Sequence, residues 1–239
     1  MEAFKKGATD FIPKLCEMVE EESEHNVVIS SLDGITEMLK HCKQAITSIQ
    51  GVPEKIIICV TKIMKKECAC QDKEDEEGME EEEEAEQDEM LFEYAGEVLP
   101  NLGRAMAPDS FAPGFLGLLP LLLKKTKKSA SVAERSFAVG ALADCVEPLQ
   151  GRLQPFLQHL FPVFNDATRD EENDVRNNAV YGLGELVLWG GEDLVNKYNQ
   201  VLSILSNLLG VETAPRVIDQ IVGAVARSVN HIFYRPDSR

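Results

Sequence analysis

What the sequence lacks narrows its class first. It contains no run of 18 uninterrupted apolar residues, so it offers no candidate for a membrane-crossing helix. The opening "MEAFKKGATDF" carries charges with no apolar stretch behind them and does not read as a secretory leader. Strand signals are nearly absent. There is no G-x-x-x-x-G-K-[ST] loop, no H-E-x-x-H and no G-x-S-x-G, and His25, His41, His159 and His231 are scattered. The chain is therefore expected to be no enzyme and to need no cofactor. Cys16, Cys42, Cys59, Cys68, Cys70 and Cys145 lack the regular spacing of a disulfide framework, which points to reduced thiols in a cytoplasmic or nuclear setting. Cys68 and Cys70 form a C-x-C, but no second Cys/His pair stands nearby to complete a metal site. Basic residues are also in deficit, with 24 Lys and Arg against 41 acidic residues and a formal charge of −17. Such a balance repels nucleic acid and anionic membrane and attracts basic polypeptides.

The acidity is concentrated. Residues 72–89 hold 13 acidic side chains against Lys73 alone, and so carry −12 of the −17. Elsewhere apolar residues recur at helical spacing, broken every 15 to 20 residues by Pro, Gly, Asp or Asn, which predicts an all-α protein. The helices repeat. "DVRNNAVYGLGELV" laid on "VAERSFAVGALADCV" at a shift of 41 matches Arg176 with Arg135, Ala179 with Ala138, Leu183 with Leu142 and Glu185 with Asp144. A shift of 42 pairs Gly182 with Ala224, and "SSLDGITEML" fits the same frame with Glu37 under Glu185. Pro13, Pro120 and Pro162 precede the small-residue anchors Ser31, Ala138 and Ala179 by 18, 18 and 17 residues.

A period of about 40 to 47 residues built from two helices marks HEAT-type repeats, whose units bury their apolar faces only by stacking. The expected fold is a right-handed superhelical solenoid of about five helix pairs, at roughly 2–46, 52–108, 112–149, 152–190 and 193–233, in one array. The interval between the first two anchors, Ser31 and Ala95, is 64 residues, about 22 too long, and the acidic run lies inside it. Residues 72–89 are thus expected to be a disordered insertion within the second pair, with Glu80, Glu81, Glu82, Glu83 and Glu84 at its centre.

Second helices line the concave side of such arrays. In the fourth pair Val175, Ala179, Gly182, Leu183 and Leu186 form the stripe expected to be buried, which leaves Asn178, Tyr181, Glu185 and Trp189 on another face. Equivalent positions are Asp144 and Glu147 in the third pair, Tyr94, Glu97 and Asn101 in the second, Asp33 and Glu37 in the first, and Asp219 with Gln220 in the fifth, where Arg227 breaks the pattern at the Glu185 position. A ladder of carboxylates, amides and rings suits an extended basic peptide: acids pair with ammonium groups, rings pack on aliphatic stems, and Asn can bond the backbone. The plainer readings remain beside it: the charges are a solvated face, and Trp189, ahead of Gly190 and Gly191, is either a binding hot spot or a plug between repeats. "KKTKK" at 124–128 reads either as a localisation signal or as lysines complementing a helix C-terminus.

At "DVRNNAVYGLGELV", "ERSFAVGALADCV" and "VIDQIVGAVARSV", with the acidic insertion upstream, the sequence resembles the C-terminal part of the importin-β (karyopherin) superfamily, and within it the importin-four type. The resemblance covers essentially the whole chain. It implies about five repeats of a longer nuclear import receptor that shuttles between cytoplasm and nucleus and binds basic cargo, namely histones H3 and H4 and ribosomal proteins. It also implies Ran GTPase and FG-nucleoporin binding through parts of the receptor outside this chain. Family positions lining the helices match at Asn178, Tyr181, Glu185 and Asp144, whereas Arg227 departs from them. Two other readings of the repeats are a scaffold for an enzyme complex such as a phosphatase, and a histone-chaperone-like module acting through the acidic run.

Overall fold

A computed structural model describes residues 2–72 and 81–233. Every regular element among them is helical. The chain divides into two compact units between Leu121 and Leu122.

In the first unit α1 (Glu2–Glu21), α2 (His25–Cys42), the single turn α3 (Gln44–Thr47), α4 (Val52–Lys65) and α5 (Glu81–Ala105) are followed by most of α6 (Pro108–Lys125). Helix α4 starts where Gly51, at φ +81°, turns the chain and Pro53 supplies a preset first-turn φ. Helices α1 and α2 pack together, as do α4 and α5; α1 also lies on α4 and α2 on α5, so first helices stack on first and second on second. Cys16, Cys59, Cys68 and Cys70 are buried in this core and form no disulfide. Among the described residues no group of His, Cys, Asp or Glu is placed to hold a metal ion.

The acidic run differs from its expectation where the structure describes it. Residues 73–80, including Glu80, lie outside the described residues, but Glu81 through Glu89, with Glu81, Glu82, Glu83 and Glu84 at the start, belong to α5. The helix begins nine residues before the expected start near 90. Part of the reason is visible at Asp88, which accepts from Lys66 Nζ at the end of α4 and from Gln71 Nε2 at 2.9 Å. Glu is also a good helix former, so an acidic run can continue a helix once its end is docked.

In the second unit α7 (Val132–Asp144), α8 (Gln154–Ala167), α9 (Asn173–Trp189), α10 (Tyr198–Leu209) and α11 (Pro215–Phe233) follow the end of α6. Ser131 opens α7 through a reciprocal capping box with Glu134. Glu134 also holds Lys125 at 2.5 Å, and that lysine is 7 % exposed, so one member of the "KKTKK" cluster is part of the fold and not displayed. Helix α9 lies between α7 and α11 and rests on α8. Val175, Ala179, Gly182, Leu183 and Leu186 are all buried, together with Val180 and Val187. A Cβ on Gly182 would sit 2.7 Å from the Phe164 ring, so the absence of a side chain there sets how closely α8 and α9 approach.

Two ion pairs of the same design bind these repeats. Arg135 of α7 donates through Nε and Nη2 to both carboxylate oxygens of Asp170 at 2.9 and 3.0 Å. One repeat later Arg176 of α9 donates to Glu212 at 2.8 and 3.0 Å. In each case the arginine of one second helix clamps the loop that leads into the next second helix. Fork-to-fork pairing of this kind is geometrically specific and charge-assisted. Asp170 is pushed up by burial, but the bonds from Arg135 and the Glu172 N–H hold it below the ordinary carboxylate range. Glu212 is held down to about 2 by the Arg176 bond, against burial and with help from the N–H groups of Ala214 and Thr213. A depressed folded-state pKa contributes stability above the unfolded value, which is lost as pH falls through the folded one. Urea midpoints are therefore expected to decline from near pH 5 toward pH 2, and a Glu212→Gln variant, less stable at neutral pH, should show a shallower decline.

Candidate functional site

The C-terminal half of α9 carries Tyr181, Glu185 and Trp189 at four-residue spacing, one above the other on a helix face. On a helical wheel this face is polar, yet Glu185 is only 8 % exposed. Its burial is a departure from the displayed carboxylate expected from sequence, and its cause is tertiary. Helix α11 comes close because Gly184 has no side chain: a Cβ there would stand 3.2 Å from the Ala224 Cβ and 3.1 Å from Arg227 Nη2. Arg227 then lies against Glu185, Nε to Oε1 at 4.0 Å, with its guanidinium carbon 5.8 Å from the centre of the Tyr181 ring.

On the other side the Trp189 indole N–H donates to Glu185 Oε2 at 3.0 Å. Trp189 is half-buried. It is thus neither a free anchor nor a simple plug, because its polar edge orients the buried acid while its ring remains partly open. Burial pushes the Glu185 carboxyl up; the Trp189 bond and Arg227 pull it down, and the charges of Glu147 and Asp144 push it up again. That coupling places the end of α7 and the turn after it within electrostatic reach of α9. Asp144 and Glu147, both half-buried, thus lie in one region with Glu185, and Arg227 stands beside Glu185.

The other expected positions separate. Asn178 Nδ2 donates to the Ser136 carbonyl at 3.0 Å, tying α9 to α7 over Gly140. Asp219 is exposed on α11. Glu97 and Asn101 belong to the first unit. There Glu97 is exposed and accepts from Lys40 at 3.3 Å, Lys40 also reaches Glu37 at 3.1 Å, and Asn101 bonds the Glu97 carbonyl of its own helix at 2.7 Å. Asp33 is exposed in α2 and Tyr94 half-buried in α5. Sequence reasoning treated Arg227 as a break in the pattern and missed that it closes over Glu185. The signal was present in the repeat frame, which put Arg227 in the Glu185 register one unit on.

No family model matches the chain. Human importin-4 is 38% identical over 225 residues, and mouse importin-4 is 38% identical over 216. These matches take in 94% and 90% of this chain but 21% and 20% of the relatives, so the chain spans about a fifth of their length. The probable importin subunit beta-4 of Schizosaccharomyces pombe is 30% identical over 152 residues, covering 64% of this chain and 14% of the relative. Among solved structures, Kap121p superposes with a TM-score of 0.71 at 12% identity, over 98% of this chain and 21% of Kap121p. Kap121p bound to RanGTP gives 0.63 at 16% identity over 95% of this chain and 22% of Kap121p. The structural likeness carries the HEAT-repeat fold, and the sequence identity runs along nearly the whole length: the chain belongs to the importin-β (karyopherin) family.

Proposed function

We propose that this chain is a cargo-binding segment of a nuclear transport receptor and that the α7–α9–α11 face holds a Lys-rich extended segment of a basic cargo, of the kind found in histones H3 and H4 and ribosomal proteins. The observation that carries this is Glu185, a carboxylate kept in a place where burial penalises its charge, oriented by Trp189 and lying beside Arg227 within electrostatic reach of Asp144 and Glu147. Carboxylates shifted by burial beside a specific charge partner are concentrated at binding and catalytic sites. The acidic run, docked at Asp88, raises the encounter rate of a cationic partner and leaves the bound pose to the α9 face. Solved Kap121p structures include complexes with RanGTP, Nup53p and the SUMO protease Ulp1p. By analogy, the Ran and FG-nucleoporin contacts of the longer receptor, and its movement between cytoplasm and nucleus, belong to the same reading.

Titration of a histone H3 tail peptide against this chain over a range of salt tests the assignment. Binding that weakens as salt rises is expected, since exposed charges are screened within about 10 Å at 0.1 M salt. Replacing the acidic residues of 72–89 other than Asp88 by Gln or Asn is expected to slow association and leave dissociation nearly unchanged. No binding at low salt refutes the reading. Loss of binding on that replacement, with an Asp144→Lys, Glu185→Lys variant still binding normally, would assign the interaction to the acidic run alone.

A further inference from the structure

On α11, Gln220 and Arg227 stand seven residues apart on one face of the helix, flanked by Arg216, which reaches Asp174 of α9 at 2.7 Å, and by Gly223. Gln220 Nε2, Arg227 Nε and Arg227 Nη2 are shut off from solvent, and none of them has a hydrogen-bond acceptor. The nearest charged oxygen, Glu185 Oε1 at 4.0 Å, is beyond bonding range of Arg227 Nε. A buried donor left without an acceptor costs about 1–3 kcal/mol, and the large majority of buried side-chain polar atoms avoid that condition. Three such donors on one helix face, beside Glu185, Tyr181 and Trp189 of α9, form a donor site with no acceptor to fill it. No hydrogen bond has to break for these donors to turn toward an incoming oxygen.

We propose that Gln220 and Arg227 bind main-chain carbonyl oxygens of an extended peptide, forming a donor rail along α11 parallel to the cation-attracting cluster of α9. The proposal rests on the reading of this face as peptide-binding and specifies how the backbone is held. A carboxylate as the acceptor is disfavoured, because Glu185 already lies beside Arg227 and repels it, whereas a neutral carbonyl suffers no such penalty. Spacing agrees. Seven residues of helix rise about 10.5 Å, and a polyproline-II chain returns its carbonyls to the same side every three residues, after about 9.3 Å. Arg227 is therefore part of the recognition surface, and the charge that breaks the acidic ladder is the one that reads the backbone.

The test uses this chain and an alternating Lys–Ala decapeptide, acetylated and amidated at its ends, together with an analogue carrying backbone esters in place of alternate amides. An ester carbonyl is the poorer acceptor. Gln220→Met and Arg227→Met are each expected to weaken the all-amide peptide by about tenfold, the scale of a lost hydrogen bond to a charged or buried group. The ester analogue should bind wild type less tightly than the amide peptide, and this difference should shrink in both variants, because the cycle isolates the shared contact. Tighter binding by Arg227→Met overturns the proposal, since it would mean that Arg227 merely repels the cationic ligand. Equal binding of amide and ester peptides to wild type also overturns it, whether or not the variants fold. If the amide peptide binds wild type and weakens with Glu185→Gln but ignores both Met variants, the donor rail fails while the proposed function stands. If the peptide does not bind wild type at all, both fail.

Discussion

A Glu185→Gln variant is expected to lose basic-peptide binding by about tenfold to a hundredfold, the scale of a lost hydrogen-bonded charge. Its stability is expected to be unchanged or slightly higher. The substitution keeps the shape and the acceptor for the Trp189 N–H, and removes only the charge. The folded-state pKa of Glu185 is raised, first by burial. A carboxyl that holds its proton more tightly folded than unfolded contributes most to stability below its unfolded pKa, and that contribution is lost as pH rises through the folded value. At neutral pH the ionised form is thus a burden on the fold that Gln relieves. Peptide titration and urea midpoints at pH 7 and pH 4 on the same preparations check both halves. Retained binding together with a large loss of stability would show Glu185 to be a structural ion-pair partner of Arg227.

Arg176→Met is expected to produce the opposite pattern, a large fall in stability felt in binding only through loss of folded protein. It strands the Glu212 carboxylate, whose side chain is 3% exposed, without its bidentate partner. Removing one member of a buried pair costs about 3–5 kcal/mol because the remaining charge has lost its compensation. For a compact unit of this size that corresponds to a drop in melting temperature of roughly 15 °C. Adding Glu212→Gln to Arg176→Met should recover much of the loss, since the stranded charge is then gone. Arg216→Ala supplies the contrast: its pair with Asp174 is 72% and 62% exposed, and such surface pairs are worth under about 1 kcal/mol. Thermal melts of the three variants check the order.

The two variants also mark where sequence reading succeeds and stops. Arg135 and Arg176 fall at equivalent positions of the repeat frame, so their kinship was legible from a shift of 41 residues. Their partners were not. Asp170 and Glu212 lie in loops ahead of α9 and α11, where no periodicity marks a residue as buried or paired. The buried stripe of α9 followed directly from helical spacing, because apolar side chains must face a neighbour wherever that neighbour sits. Glu185 escaped the same logic: its burial depends on α11 crossing close over Gly184, a contact between repeats that no single helix encodes. Asn178 is similar, looking like a ligand-facing amide on its own helix and turning out to bond the Ser136 carbonyl.

The closeness of α9 and α11 at Gly184 has a further meaning. A peptide held by Glu185 and Trp189 on one helix and by Gln220 and Arg227 on the next would span the seam between two repeats, and would sense the separation and tilt of the pair. Any event elsewhere in the receptor that flexes this seam would change the peptide's affinity, and by reciprocity the bound peptide would resist that flexing by the same free energy. Such a seam would act as a strain gauge, letting a stacked array report occupancy along its length without a separate moving part.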